Sequence, residues 1–189
     1  MAKNALIVVD VQNDFCEGGA LAASDTDSLI EPLKEFIEKV RKTGTVIVYT
    51  QDWHSATHSS FKQNGGPWPA HCVAESAGAG LKSPLSVQMG DIVIHKGVAA
   101  DGTGYSGFAA TELGNKLKSL QVKRVSVVGI ATEYCVAATA LDAAKAGFGT
   151  SVLTDLVRAA DEKATAGTLE KCEAAGVETV LSAEWLESL

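Results

Sequence analysis

Clustered basic residues are missing from this sequence. Lys and Arg total 16 against 23 Asp and Glu, for a net charge of −7. Binding a polyanion takes grouped Lys and Arg, so a nucleic-acid partner is not expected. Long hydrophobic runs are missing too. The N-terminal apolar run, residues 5–9, meets a charge at Asp10 and is too short for a secretory signal. No stretch approaches the ~20 apolar residues that span a bilayer. The expected location is the cytosol, with no membrane partner. The four cysteines (Cys16, Cys72, Cys135, Cys172) lie far apart without a CxxC pair. In a reducing compartment they are expected to be free thiols. GxGxxG and GxxxxGK[ST] are both absent, so nucleotide phosphate has no cradle. The GxSxG elbow of serine hydrolases is absent as well. There is no internal repeat and no low-complexity tract.

What is present is an ordinary globular composition, 46% apolar and 21% charged over 189 residues. That length suits one domain, residues 1–189, with a substantial core. Short Val/Ile/Leu runs at 5–9, 45–50, 92–95, 124–128, 150–154 and 177–181 read as strands. Helical patterns at 28–42, 107–119, 132–146 and 162–175 alternate with them, and a short helix closes the chain. Pro32 is tolerated in a first helical turn and Gly44 closes that helix. The strands are nearly continuous Val/Ile/Leu rather than alternating, which marks a parallel sheet covered on both faces. The expected fold is a three-layer α/β/α doubly wound domain with a mainly parallel sheet. A loop from Gln51 to Pro84 is long for a compact domain, and such loops usually carry function.

In an open α/β sheet, ligands bind beyond the carboxyl ends of the strands. The first strand ends at Asp10. The second runs into Asp52 and His54. The third ends at His95-Lys96, and Cys135 opens the helix behind the fourth. Taken singly, Asp10 could stop a strand, Lys96 could be a solvated loop lysine, and Cys135 could be a small buried hydrophobe. Unrelated causes would scatter these residues over both ends of the strands, so their coincidence at one edge favours chemistry. With Thr132 as an N-cap, Cys135 falls in the first helical turn, where the helix terminus and a lysine would lower its thiol pKa. A nucleophile, an acid and a cation together suggest covalent catalysis. Unsatisfied amides in that turn could hold an oxyanion.

Asp52-x-His54 places two ligand-type side chains on one side of an extended segment. His71, in "PWPAHC", is the favoured third ligand and His58 the rival. An Asp/His/His set suits zinc or iron, and manganese less well. The stretch "GTGYSGF" (102–108) reads as a flexible rim that offers Tyr105 to a pocket.

These residues carry a resemblance. "ALIVVDVQNDFCEGGAL" (5–21), "QDWHSATHSSF" (51–61), "GGPWPAHCV" (65–73), "IHKG" (94–97), "YSGF" (105–108) and "GIATEYCVAATALDA" (129–143) together resemble the nicotinamidases of the isochorismatase-like cysteine hydrolase superfamily, nearly end to end. The resemblance implies that Cys135 attacks a carboxamide, that Asp10 moves the proton, and that Lys96 stabilises the thiolate. It implies that Asp52, His54 and His71 bind a divalent metal, most readily zinc, which orients a pyridine ring. It further implies a cis peptide between Ile130 and Ala131, an oxyanion held by the amides of Ala131 and Cys135, and a ring pocket of Phe15, Trp68 and Tyr105. Ser55 stands where many relatives carry proline, which leaves the role of His58 open. The implied reaction is nicotinamide to nicotinate and ammonia, with pyrazinamide as a side substrate. A homo-oligomer fits the same resemblance. Two alternatives stand beside it: an amidase of the superfamily acting on a carbamoyl or ureido substrate, and a non-catalytic binding protein with a decayed pocket.

Overall fold

The computed structural model describes residues 3–99 and 104–189. Six strands form one sheet: β1 (Lys3–Val9), β2 (Val46–Asp52), β3 (Ile92–Lys96), β4 (Val122–Ile130), β5 (Gly149–Arg158) and β6 (Glu178–Val180). Their order across the sheet is β3-β2-β1-β4-β5-β6, and every pairing is parallel. Among the described residues, five α-helices cover the faces: α1 (Asp27–Arg41), α2 (Leu113–Ser119), α3 (Ala137–Lys145), α4 (Glu162–Ala174) and α5 (Ser182–Glu187). This is the expected three-layer doubly wound fold.

Strand periodicity builds the two cores. Along β1, Ala5, Ile7 and Val9 point into one core cluster, while Leu6 and Val8 point into the other. The first cluster takes in residues of α2, α3 and α4, including Leu117, Ala140 and Cys172. The second takes in Leu29, Leu33, Phe36, Ile37 and Val40 of α1, spaced by three and four, with Trp185 of α5. A central strand that must be apolar on both sides explains the unbroken Val/Ile/Leu runs.

Several element ends differ from those expected. β2 runs on to Asp52 and β5 to Arg158, because polar residues at the strand ends still join the ladder. The expected helix at 107–119 starts only at Leu113. Before it, Thr111 Oγ1 donates to Gly107 O, a local bond that competes with a helix, and Gly107 N donates to the distant Thr139 Oγ1. Pro32 lies inside α1 rather than in its first turn. Gly102 and Thr103 of the expected rim lie outside the described residues.

The strand order reverses direction between β1 and β4, the switch point where open α/β sheets form their crevice. Gly129 sits at this point with φ 115°, and a Cβ there would lie 2.1 Å from Val9 O. Only glycine lets β4 pass β1 so closely. Beyond it, the Ile130–Ala131 peptide is cis. Among the described residues, no helix is long and apolar enough to cross a membrane.

Candidate active site

Register brings the first pair of charges together. Asp52 closes β2 and pairs with Lys96, the last residue of β3. Lys96 is fully buried, and its Nζ lies 2.5 Å from Asp52 Oδ1 and 2.7 Å from Asp10 Oδ2. The same ammonium donates to Gly104 O at 3.0 Å and to Cys135 Sγ at 3.3 Å. Asp10 adopts φ 48° just past β1, a left-handed conformation that costs a non-glycine residue about 1–2 kcal/mol. Thr50 holds it there: its Oγ1 donates to Asp10 Oδ1 at 2.6 Å, and its carbonyl accepts from Asp10 N at 3.2 Å. Three strands and the segment after a fourth thus converge on one nitrogen.

Burial is the largest influence on Lys96 and opposes its charge, but Asp10 and Asp52 more than reverse it and hold its pKa well above the ordinary lysine value. The two acids are driven apart. Burial pushes the Asp10 carboxyl up, and the charge of Asp52 adds to this against the pull of Lys96. Burial also opposes ionisation of Asp52, yet Lys96 and His54 together bring it down to about 2. Such a split is how two neighbouring carboxylates take different roles.

The thiol corrects an expectation. Burial raises the Cys135 pKa well above its ordinary value, and Asp10 and Asp52 raise it further. Lys96 pulls the other way but sits nearer to two carboxylates than to sulfur. The helix start is also not the one expected. Residues Thr132–Val136 form a single wide turn ahead of α3, Ala131 takes the N-cap position, and the Thr132 hydroxyl makes no capping bond. Burial and the two carboxylates therefore favour the thiol over a preformed thiolate.

The other face of Asp52 meets the imidazoles. His54 Nε2 lies 3.4 Å and His71 Nε2 4.0 Å from Asp52 Oδ2. His71 is distant in sequence but returns by a short ladder, with His54 N donating to Cys72 O and Ala74 N to His54 O. Asp14 Oδ2 accepts from Cys72 N at 2.7 Å and fixes the segment behind His71. His54 Nδ1 lies 2.9 Å from Gly97 O, and His71 Nδ1 lies 2.7 Å from Pro69 O. A carbonyl can only accept, so in the neutral rings each Nδ1 carries the proton and each Nε2 presents a lone pair. Three buried donors, one of them an ionised carboxylate, thus face one point and fit a divalent metal. Gly97 has no alternative here, since a Cβ would lie 2.4 Å from His54 Cε1.

His58 is buried beside this group, its ring 4.3 Å from that of His54. Its Nδ1 accepts from Ser60 N at 3.2 Å. The same Nδ1 lies 2.7 Å from Ser60 Oγ. Asp52, His54 and His71 group as possible ligands; His58 does not join them.

Above both groups opens a cavity of about 370 Å³, lined by Asp52, His54, His71 and Cys135. Phe15, Trp68, Tyr105 and Ala131 also line it. Trp68 Nε1 donates to Tyr105 Oη at 3.2 Å. Three features escaped the sequence analysis. Tyr134 packs edge-on against Trp68 at 5.4 Å and completes the aromatic wall. Thr50 supports Asp10, and Gln12 clamps Asp52 by accepting from its N at 2.8 Å and donating to its O at 2.9 Å. Spacing held a clue for Thr50 alone, which stands two before Asp52 within β2, where such pairs share a side.

Known proteins share this arrangement of chain. The family description "Isochorismatase domain" matches residues 4–184. The chain is 34% identical to the nicotinamidase of Escherichia coli K12, covering 100% of this chain and 99% of that one. It is 38% identical to the nicotinamidase/pyrazinamidase of Mycobacterium tuberculosis, covering 94% and 98%. The crystal structure of pyrazinamidase of Pyrococcus horikoshii in complex with zinc superposes with a TM-score of 0.91 at 42% identity, covering 95% of this chain and 99% of that one. With a match over nearly its whole length and a fold in common, the chain belongs to the isochorismatase family.

Proposed function

We propose that the chain is a metal-dependent nicotinamidase, with pyrazinamide as a second substrate. The observation that carries this reading is the meeting of Asp10, Asp52 and Cys135 on the Lys96 ammonium, at the floor of a small aromatic-walled cavity. The cavity lies near the lower end of the ~300–1,000 Å³ usual for small-molecule sites, and one aromatic ring with a carboxamide suits it. The relatives' names and the zinc in the Pyrococcus structure support the same substrate and metal. The reading takes residues 1–189 as one catalytic domain in the cytosol.

Asp10 takes the proton from Cys135 as sulfur attacks the carboxamide carbon, so the thiolate forms only when substrate is present. The raised Asp10 pKa suits an acceptor that must give its proton back. The amides of Ala131 and Cys135 hold the oxyanion. Asp10 then delivers the proton to the departing nitrogen, the C–N bond breaks, and ammonia leaves a thioester on Cys135. Asp10 next deprotonates a water that attacks the thioester carbon, the C–S bond breaks, and the proton returns to sulfur with release of nicotinate. Lys96 keeps its charge throughout and balances whichever anion is present, thiolate or Asp10. Phe15, Trp68, Tyr105 and Tyr134 hold the ring and exclude water. Asp52, His54 and His71 would hold zinc, or iron or manganese in its place, which when bound offers the pyridine nitrogen a Lewis acid and so orients the ring.

Purified protein with metal should release ammonia from nicotinamide, and Cys135→Ala should lower that rate by at least ~10⁴-fold without loss of fold. No turnover by the wild type, or an active alanine variant, contradicts the reading. Thr50→Val tests the proton acceptor. Loss of the Thr50 hydroxyl removes a bond that favours ionised Asp10, so the Asp10 pKa rises further. Activity needs Asp10 ionised and is lost as pH falls through that pKa. At constant metal occupancy, the acidic limb of kcat/KM should therefore move to higher pH; a limb that stays or moves down rules Asp10 out. His71→Ala should weaken metal affinity by ~10-fold or more, with a smaller effect from His58→Ala. Elemental analysis after dialysis against a graded chelator measures both, and the reverse order would exchange the two ligands.

A further inference from the structure

Asp10, Asp52 and Cys135 form a second group whose donor atoms all lie within 4.8 Å of one another, and all three residues are buried. Two carboxylates and a sulfur make a donor set suited to zinc and its neighbours. The seat among them is filled by Lys96 Nζ, at 2.7 Å from Asp10, 2.5 Å from Asp52 and 3.3 Å from Cys135. We propose that Lys96 acts as a resident cation that keeps a second metal ion out of this cage and confines divalent metal to the imidazole side of Asp52.

Asp52 makes the exclusion necessary. Its Oδ2 faces His54 and His71, while its Oδ1 faces Lys96. A carboxylate split in this way is the bridging ligand of two-metal centres. Without a competing charge, an ion on one oxygen would leave the other oxygen, Asp10 and the sulfur poised for a second. That second ion would take the sulfur lone pair needed for attack and the Asp10 oxygen needed for the proton. An ammonium in the seat forbids it by like charge at contact range. The ammonium is also hard to displace. It is the end of a side chain rooted in the last residue of β3, and it donates to Asp52 Oδ1, Gly104 O and Cys135 Sγ while in ion-pair contact with Asp10 Oδ2. Lys96 thus neutralises the cage without coordinating the sulfur, and leaves the thiol available.

The inference rests on assigning the resident metal to Asp52, His54 and His71, but its test reads sulfur rather than imidazole, so the two fail separately. Cobalt(II) is titrated into purified protein while bound metal and the near-ultraviolet thiolate-to-cobalt charge-transfer band are followed. The wild type should show no such band at any cobalt excess. Lys96→Met should show the band and bind roughly one further equivalent of cobalt per chain, the thiol proton passing to buffer. Both gains should vanish when Cys135→Ser is added to Lys96→Met. A band in the wild type that Cys135→Ser abolishes overturns the proposal. So does a folded Lys96→Met protein with neither the band nor the added equivalent. Lys96→Arg retains a cation in the seat and should remain without the band, so a sulfur band in that variant is equally fatal should Lys96→Met not fold.

Discussion

Lys96 Nζ touches two carboxylates and a thiol in a place that water does not reach. An ammonium buried alone would shed its proton, and a carboxylate buried alone would gain one. Here Lys96 and Asp52 secure each other's charge, while at Asp10 burial still outweighs the pull of the ammonium. The arrangement is also intolerant: removing one partner from a buried pair strands the remaining charge and typically costs ~3–5 kcal/mol. Asp52 extends this network to His54 and His71. The nucleophile side and the metal side of the cavity are two ends of one charge network, with Asp52 shared between them.

The sheet delivers these groups without a long excursion. In a parallel sheet, every strand ends at the same edge, so polar residues just past the apolar runs gather there. Pairing of Asp52 with Lys96 follows from the β2–β3 register alone. Asp10 and Cys135 reach the same point because β1 and β4 are neighbours at the switch point and Gly129 lets them approach. The long loop after β2 contributes what strands cannot: an imidazole returning from beyond the edge, and aromatic rings to close the cavity.

Much of this was legible in residue order. Apolar runs at 5–9 and 124–128 could only be buried strands, and their alternation with helices left few folds. Asp10, Asp52, Lys96 and Cys135 stand at strand ends and could be nominated by position. What the sequence hid were properties that depend on distance. Thr50 looked like one more β-former, though its hydroxyl supports Asp10. Tyr134 looked like a helix-turn residue, though it walls the cavity. The protonation of Cys135 was misjudged because a lysine nearby lowers a thiol pKa only if its charge is not already claimed. Two carboxylates closer than the sulfur claim it here, and burial does the rest.

The charge on Lys96 is the point on which this account stands or falls, and nuclear magnetic resonance of its side-chain nitrogen can follow it directly, the signal being assigned by its absence in Lys96→Arg. The charges of Asp10 and Asp52, outweighing the opposing effect of burial, should keep Nζ protonated at pH values well above the ~10.4 of an ordinary lysine. Loss of the proton at or below that ordinary value would mean that the two carboxylates do not hold the ammonium, and the site would have to be rebuilt around a neutral amine.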